Sequence, residues 1–175
     1  MIIYFLRHAS AGKKMLSGKR DERRPLDKEG ILQAQYVGRL LASLDVQVEQ
    51  IISSPLRRAM QTASLVANEL AHEAPVRSDD ALRPEGDYLT FKEMLSRYRK
   101  HDEIMVVGHN PTESEFLSKI VSGSSPSAHI ELKKGAVARV ETNGRSGKLE
   151  WLVTPKIART VHNLKTSSRL KTPRK

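Results

Sequence analysis

Three fragments far apart in this 175-residue chain carry the residue types that could do chemistry, and each sits just past a short apolar run: Leu6-Arg7-His8, Ser54-Pro55-Leu56-Arg57-Arg58 and Gly108-His109-Asn110-Pro111. Neutral imidazole is a nucleophile and a proton carrier, and guanidinium grips the oxygens of an anion bidentately, so His8, His109, Arg7 and Arg58 together point to phosphoryl chemistry. Spreading charge over three equatorial oxygens is the main demand of that chemistry, and positioned cations meet it without a metal. An attacking imidazole must be unprotonated, and neighbouring guanidinium groups lower the pKa of His8 by disfavouring a second positive charge. The same crowd of charge argues against a divalent cation, so neither metal nor cofactor is expected.

These fragments meet only if the fold brings them together. Ile2 to Leu6, Ile51-Ile52 and Ile104 to Val107 read as strands, and they alternate with longer stretches of helical spacing. Val37, Leu40, Leu41 and Leu44 form one apolar stripe, and Leu56, Ala59, Met60, Ala63, Val66, Ala67 and Leu70 form another. Tyr88, Phe91, Leu95 and Tyr98 give a third, and Phe116, Leu117, Ile120 and Val121 a fourth. This βα alternation predicts an α/β fold, a three-layer α/β/α sandwich with a mostly parallel mixed sheet, whose ligands bind outside the carboxyl ends of the strands. Ser54 and Asn110 read as helix N-caps with Pro55 and Pro111 at the first helical position, so two helix N-termini would face the site and favour an anion. Ala136 to Glu141 and Lys148 to Val153 flank a turn-rich segment and read as a hairpin closing one side of the sheet, while Ser122 to Ser127 reads as a loop.

The length suits one α/β domain, taken as residues 1–160, followed by a basic tail over 161–175. The net charge of +10 is concentrated there: Lys156 to Lys175 holds seven Lys or Arg and no acid. A segment as polar as Thr166 to Lys175 buries too little apolar surface to offset its ordering entropy, so it is expected to be mobile and solvated, with nucleic acid not expected as a partner. There is no cysteine, which excludes disulfides and thiolate metal sites. No apolar run approaches the roughly 20 residues that cross a bilayer, and the run at Ile2 is followed at once by Arg7-His8, as a strand and not a signal peptide would be. A cytoplasmic location without membrane partners is expected.

The three fragments, in this order, resemble the main motifs of the histidine phosphatase superfamily with the phosphoglycerate mutase-like fold. The resemblance rests on strand-Arg7-His8, on the Ser-Pro-x-x-Arg-Ala-x-Gln-Thr-Ala pattern from Ser54 to Ala63, and on Val107-Gly108-His109-Asn110-Pro111. Within the superfamily, the short length, Arg7-His8-Ala9-Ser10-Ala11, and Arg24-Pro25-Leu26 followed by Gly30 look like the SixA-type phosphohistidine phosphatases. The resemblance implies that His8 attacks phosphorus in line and becomes phosphorylated before water releases inorganic phosphate. It also implies that Arg7, Arg58 and His109 hold the equatorial oxygens, with Arg24 adding contacts and Ser54 and Asn110 binding substrate. The implied partner is a phosphohistidine-bearing signalling protein or a small phosphorylated substrate.

One departure carries information. Phosphomonoester members of the wider family place a catalytic Glu after a strand in mid-chain, where this chain aligns Ala81. An alkoxide leaving group needs a proton, and a positioned acid gives roughly a 10²–10⁴-fold gain. An imidazole leaves far more easily, so the departure favours a phosphoramidate substrate, unless Asp80 or Glu85 reaches the site as proton donor. A phosphatase of small phosphomonoesters is the alternative, and a non-catalytic phosphate- or nucleic-acid-binding module a third reading, prompted by the basic tail and by Ala9 in place of the family's usual glycine. Arg24 stays open between a phosphate contact and one more member of a solvated basic loop running from Lys13.

Overall fold

The structure, a computed structural model, describes residues 1–14, 18–123 and 128–169. The three apolar runs alternate with period two, yet both of their faces are buried. In β1 (Ile2–Arg7), Ile3 and Phe5 join one core while Tyr4 and Leu6 join another; in β4 (Glu103–Gly108), Ile104 and Val106 oppose Met105 and Val107 in the same way. Strands buried on both faces need a helical layer on each side, and the remaining elements supply it.

β2 (Gln50–Ser53) and the two-residue β3 (Arg77–Ser78) complete the parallel part, and the hairpin of β5 (Val137–Thr142) and β6 (Gly147–Val153) adds antiparallel strands. The sheet order is β3-β2-β4-β1-β5-β6. β1 pairs in parallel with β4, Arg7 opposite Gly108, and antiparallel with β5, Leu6 opposite Val137. His8 and His109 therefore leave neighbouring strands at the same end. The chain entering β5 arrives at that end too, because β5 runs the other way.

A short helix α1 (Gly18–Glu22) follows β1, then α2 (Lys28–Ser43), α3 (Arg57–Glu69), a 3₁₀ turn over Asp80–Leu82, α4 (Tyr88–Arg97), α5 (Thr112–Ser122) and α6 (Pro155–Arg169). α2, α3 and α6 cover one face of the sheet, with Val37, Leu41, Val66 and Ala158 inside. α4 and α5 cover the other, where Phe91 and Phe116 stack at 4.4 Å between ring centroids. Each such ring contributes roughly 1.5–3 kcal/mol by leaving water.

Three expectations need revising. Ser54 and Asn110 are not N-caps: α3 begins at Arg57 after Leu56, and α5 at Thr112 after Pro111, with no side-chain cap in either case. Both polar side chains are drawn away by partners across the site, described below. The boundary after residue 160 falls inside α6 (Pro155–Arg169), whose Ala158 is buried and whose His162 ring lies 5.4 Å from Tyr36 on α2. The basic loop from Lys13 contains α1, because the Asp21 side chain on that turn bonds inward. Of the expected loop Ser122–Ser127, Ser122 is the last residue of α5 and Gly123 its C-cap, while residues 124–127 and the tail end 170–175 lie outside the described residues. Among the described residues, no helix is long and apolar enough to cross a membrane.

Candidate active site

The turn after β1 carries His8 and is fastened to α2 by one carboxylate. Asp27 caps α2 by accepting from Gly30 N at 2.7 Å, while its other oxygen accepts from Ser10 Oγ at 2.8 Å and Gly12 N at 2.7 Å. Burial opposes charge on Asp27, but these three hydrogen bonds outweigh it and hold the carboxyl below its usual range. Gly30 is required here, since a Cβ would collide with the Ser10 carbonyl.

The imidazoles of His8 and His109 converge, with ring centroids 4.9 Å apart and planes tilted by 55°. His8 is 7 % exposed and His109 2 %. His8 Nδ1 lies 2.7 Å from the Ala9 carbonyl oxygen, which can only accept, so the proton sits on Nδ1 and Nε2 keeps its lone pair. Arg58 Nε, 3.3 Å away, donates toward that lone pair. His109 Nε2 pairs with Ser54 Oγ at 2.8 Å, and its Nδ1 is buried without a partner. This is what draws Ser54 away from capping.

Burial, reinforced by the charges of Arg58, Arg7 and Arg24 and only partly opposed by the Ala9 hydrogen bond, lowers the His8 pKa to about 3. Burial first, then His8 and the same arginines, lowers that of His109 to about 2. Both rings are neutral at physiological pH. Arg7 and Arg58 are also pushed down by burial, yet a guanidinium stays charged under any ordinary condition.

The arginines are held from behind. Arg58 Nη1 donates to the Asp21 carbonyl at 3.0 Å and pairs with the Asp21 carboxylate at 3.3 Å, and Arg24 Nε pairs with that carboxylate at 2.8 Å. Arg24 also donates to the Ala11 carbonyl at 2.7 Å. Its guanidinium is thus part of the cluster, since its charge is felt by both histidines, but it is braced by Asp21 rather than free in a basic loop. On the other flank, the Leu132 carbonyl accepts from both Arg7 Nη1 and Asn110 Nδ2 at 2.8 Å. Asn110 Oδ1 accepts from Ser114, which accounts for the missing cap on α5.

Asp80 and Glu85 are not brought into this cluster. Their side chains are 82 % and 70 % exposed and both pair with Arg83, at 2.7 and 3.7 Å. Ala81 is buried in the 3₁₀ turn between them. Among the described residues, no group of three or more His, Asp or Glu is arranged to hold a metal ion.

Four participants were not singled out by sequence: Asp21, Thr62, Leu132 and Glu113. Asp21 was hidden among the charges of the Lys13–Arg24 segment. Thr62, inside the Gln-Thr-Ala motif, accepts from Ala9 N at 3.1 Å and donates to the Arg58 carbonyl at 2.7 Å, tying two motifs together. Leu132 acts through its backbone, which leaves no sequence signal. Glu113 is 1 % exposed, with Oε1 unpartnered, and its carboxyl lies against Gly108, where a Cβ would collide with it. Burial pushes its carboxyl pKa well above the ordinary range.

Paired neutral imidazoles ringed by guanidiniums, at the carboxyl ends of parallel strands in an α/β/α sandwich, define a phosphoryl-transfer enzyme. The sequence profile of the histidine phosphatase superfamily (branch 1) matches residues 3–88. An uncharacterised protein of Picosynechococcus sp. is 31 % identical over 166 residues, an alignment that covers 89 % of this chain and 98 % of that protein. The protein histidine phosphatase SixA, solved with tungstate, superposes with a TM-score of 0.79 at 23 % identity, over 89 % of this chain and 98 % of that one. An alpha-ribazole-5'-P phosphatase of Escherichia coli superposes with a TM-score of 0.68 at 18 % identity, over 89 % and 97 %. These two likenesses show the shared fold. The chain belongs to the histidine phosphatase superfamily, and it is a phosphatase.

Proposed function

We propose that this phosphatase removes phosphate from histidine on a phosphorelay or signalling protein, through a phosphohistidine intermediate on His8 and without a metal. In this reading the His8 Nε2 lone pair attacks phosphorus while the bond from phosphorus to the substrate imidazole breaks. That imidazole, carrying a proton from solvent on its other nitrogen, departs with the electron pair as a neutral ring. A second water then attacks the phosphorus of phospho-His8, releasing inorganic phosphate and restoring the neutral ring. Arg7, Arg58 and His109 hold the equatorial oxygens as charge spreads over them, and losing one such donor removes roughly 3–4 kcal/mol of transition-state stabilisation. Arg24, Ser54 and Asn110 take part through the residues they hold in place.

One observation carries the choice of substrate. The acids that flank Ala81, where phosphomonoester members carry a catalytic Glu, are turned away from the imidazoles: Asp80 and Glu85 pair with Arg83 in solvent; Asp21 is committed to Arg58 and Arg24, and Glu113 is enclosed against Gly108. Imidazole, whose conjugate acid titrates near pH 6.5, departs without such an acid. The likeness to a protein histidine phosphatase supports the same choice, and tungstate in that relative is a tetrahedral oxyanion standing in for phosphate. The second reading, a small phosphomonoester as substrate, draws on the alpha-ribazole-5'-P phosphatase that shares the fold.

Turnover of phosphoramidate and of a phosphohistidine protein, ranked against p-nitrophenyl phosphate and sugar phosphates, separates the two readings. Preference for the phosphoramidates, an acid-labile phosphoenzyme mapped to His8 and its loss in His8→Ala are expected. Undiminished activity in His8→Ala refutes the nucleophile, and a strong preference for sugar phosphates refutes the substrate.

A further inference from the structure

Beside the site, α2, the segment before β5 and the start of α6 enclose a groove of about 600 Å³. Lys133, Lys134, Lys156 and Arg159 line it; among the described residues none of the four forms a close ion pair, though Lys134 acts on the Asp27 carboxylate from a distance. The acid that shares the lining, Glu29, accepts a hydrogen bond from Gln33 at 2.9 Å. Leu32, 52 % exposed, and Pro155 add apolar surface.

The groove reaches the turn that carries His8. Its wall residue Gln33 accepts from Ser10 N at 2.9 Å, and Gly135, next to Lys134, donates from its backbone to the Arg7 and His8 carbonyls at 3.1 and 3.2 Å. Both flanking segments, before β5 and after β6, lie at the end of the sheet where the imidazoles emerge. A protein that presents a phosphorylated side chain to His8 must lay its neighbouring surface nearby.

We propose that this groove docks an acidic segment of the protein substrate, an inference that rests on the phosphohistidine-protein reading above and names the surface chemistry of that partner. Cations free of close ion pairs around a patch of aliphatic surface suit carboxylates interspersed with apolar side chains, and complementary charge of this kind steers encounter as well as holding the complex. A nucleic acid is the poorer occupant. Single strands bind by stacking bases on aromatic rings, and the ring of Tyr36 in this groove is packed against His162 at 5.4 Å.

The test uses the full chain and a fluorescein-labelled, unphosphorylated twelve-residue peptide with one His among Glu and Leu, a matched peptide with Gln for Glu, and oligothymidylate. Anisotropy should show the Glu peptide binding, weakening with salt, and outcompeting both others. Lys156→Glu with Arg159→Glu should weaken it about ten-fold, the scale of a few rim charges made repulsive, while turnover of small phosphoramidate changes less than about two-fold. Lys156→Gln with Arg159→Gln provides a gentler pair should the reversal fail to fold, with a smaller loss expected. Equal affinity for Glu and Gln peptides, no effect of either pair of substitutions, or preference for oligothymidylate overturns the inference. Because the peptide is not phosphorylated, binding judges the groove even if turnover assays reject phosphohistidine as substrate.

Discussion

Replacing the paired imidazoles should flatten the acid limb of the stability curve. Burial lowers the pKa of His8 from 6.5 to about 3 and that of His109 to about 2. Between pH 6.5 and 3 the unfolded chain therefore takes up protons that the folded chain refuses. Stability is fully present above pH 6.5 and falls as pH drops through that window. At pH 5, one and a half units below the unfolded value, each ring accounts for about 2 kcal/mol of lost stability at about 1.4 kcal/mol per unit, so about 4 kcal/mol for the pair. Urea unfolding of the wild type, His8→Asn, His109→Asn and the double variant at pH 7.5 and 5.0 measures it, because the other four histidines are common to all. The difference between the two pH values should shrink by about 2 kcal/mol in each single variant and about 4 kcal/mol in the double. An unchanged difference would mean that the rings accept protons in the folded state, and the desolvated, cation-ringed pocket described here would be wrong.

Glu113 should act with the opposite sign. An acid whose folded pKa is raised loses stability as pH climbs above its unfolded value, so Glu113→Gln should stabilise the protein increasingly as pH rises above the ordinary carboxylate range, read by thermal melts; a pH-independent offset refutes a raised pKa. Gly108→Ala should lower stability by about 1–3 kcal/mol through overpacking against the Glu113 carboxyl, and adding Glu113→Ala should recover most of it, whereas additive losses refute the contact. Asp21→Asn keeps the shape but removes the charge behind Arg58 and Arg24, and should lower kcat/KM about ten-fold or more in a phosphoramidate assay, since charged hydrogen bonds hold both guanidiniums; wild-type activity would show that the arginines need no brace.

Much of this arrangement was legible in the chain because it rests on side-chain identity and period. Ile2–Leu6 and Ile104–Val107 advertise buried parallel strands, and a strand-end Arg-His or Gly-His needs only the sheet rule to be placed. The hairpin at β5 and β6 was marked by its turn. What stayed hidden depends on backbone atoms or on long-range competition. The Leu132 carbonyl that receives Arg7 and Asn110 belongs to a residue whose type says nothing about it. Ser54 and Asn110 look like caps because capping is local, but partners 55 and 22 residues away claim them. Asp21 reads as one charge among many until α1 turns it under Arg58. The part of α6 beyond residue 160 reads as a basic tail because, among the described residues, 163–166 are exposed.

The hydrogen bond from His8 Nδ1 ends on a peptide oxygen. No exchange of the residue 9 side chain can delete that acceptor, so the tautomer of the His8 ring is protected from mutation at the neighbouring position, and alanine there in place of glycine leaves it intact. A neutral acceptor also leaves the ring less basic than a carboxylate would. In the proposed mechanism, phosphorus attached to Nε2 would leave the ring with its Nδ1 proton as a cation, a ready leaving group, so a phosphorylated His8 would be short-lived.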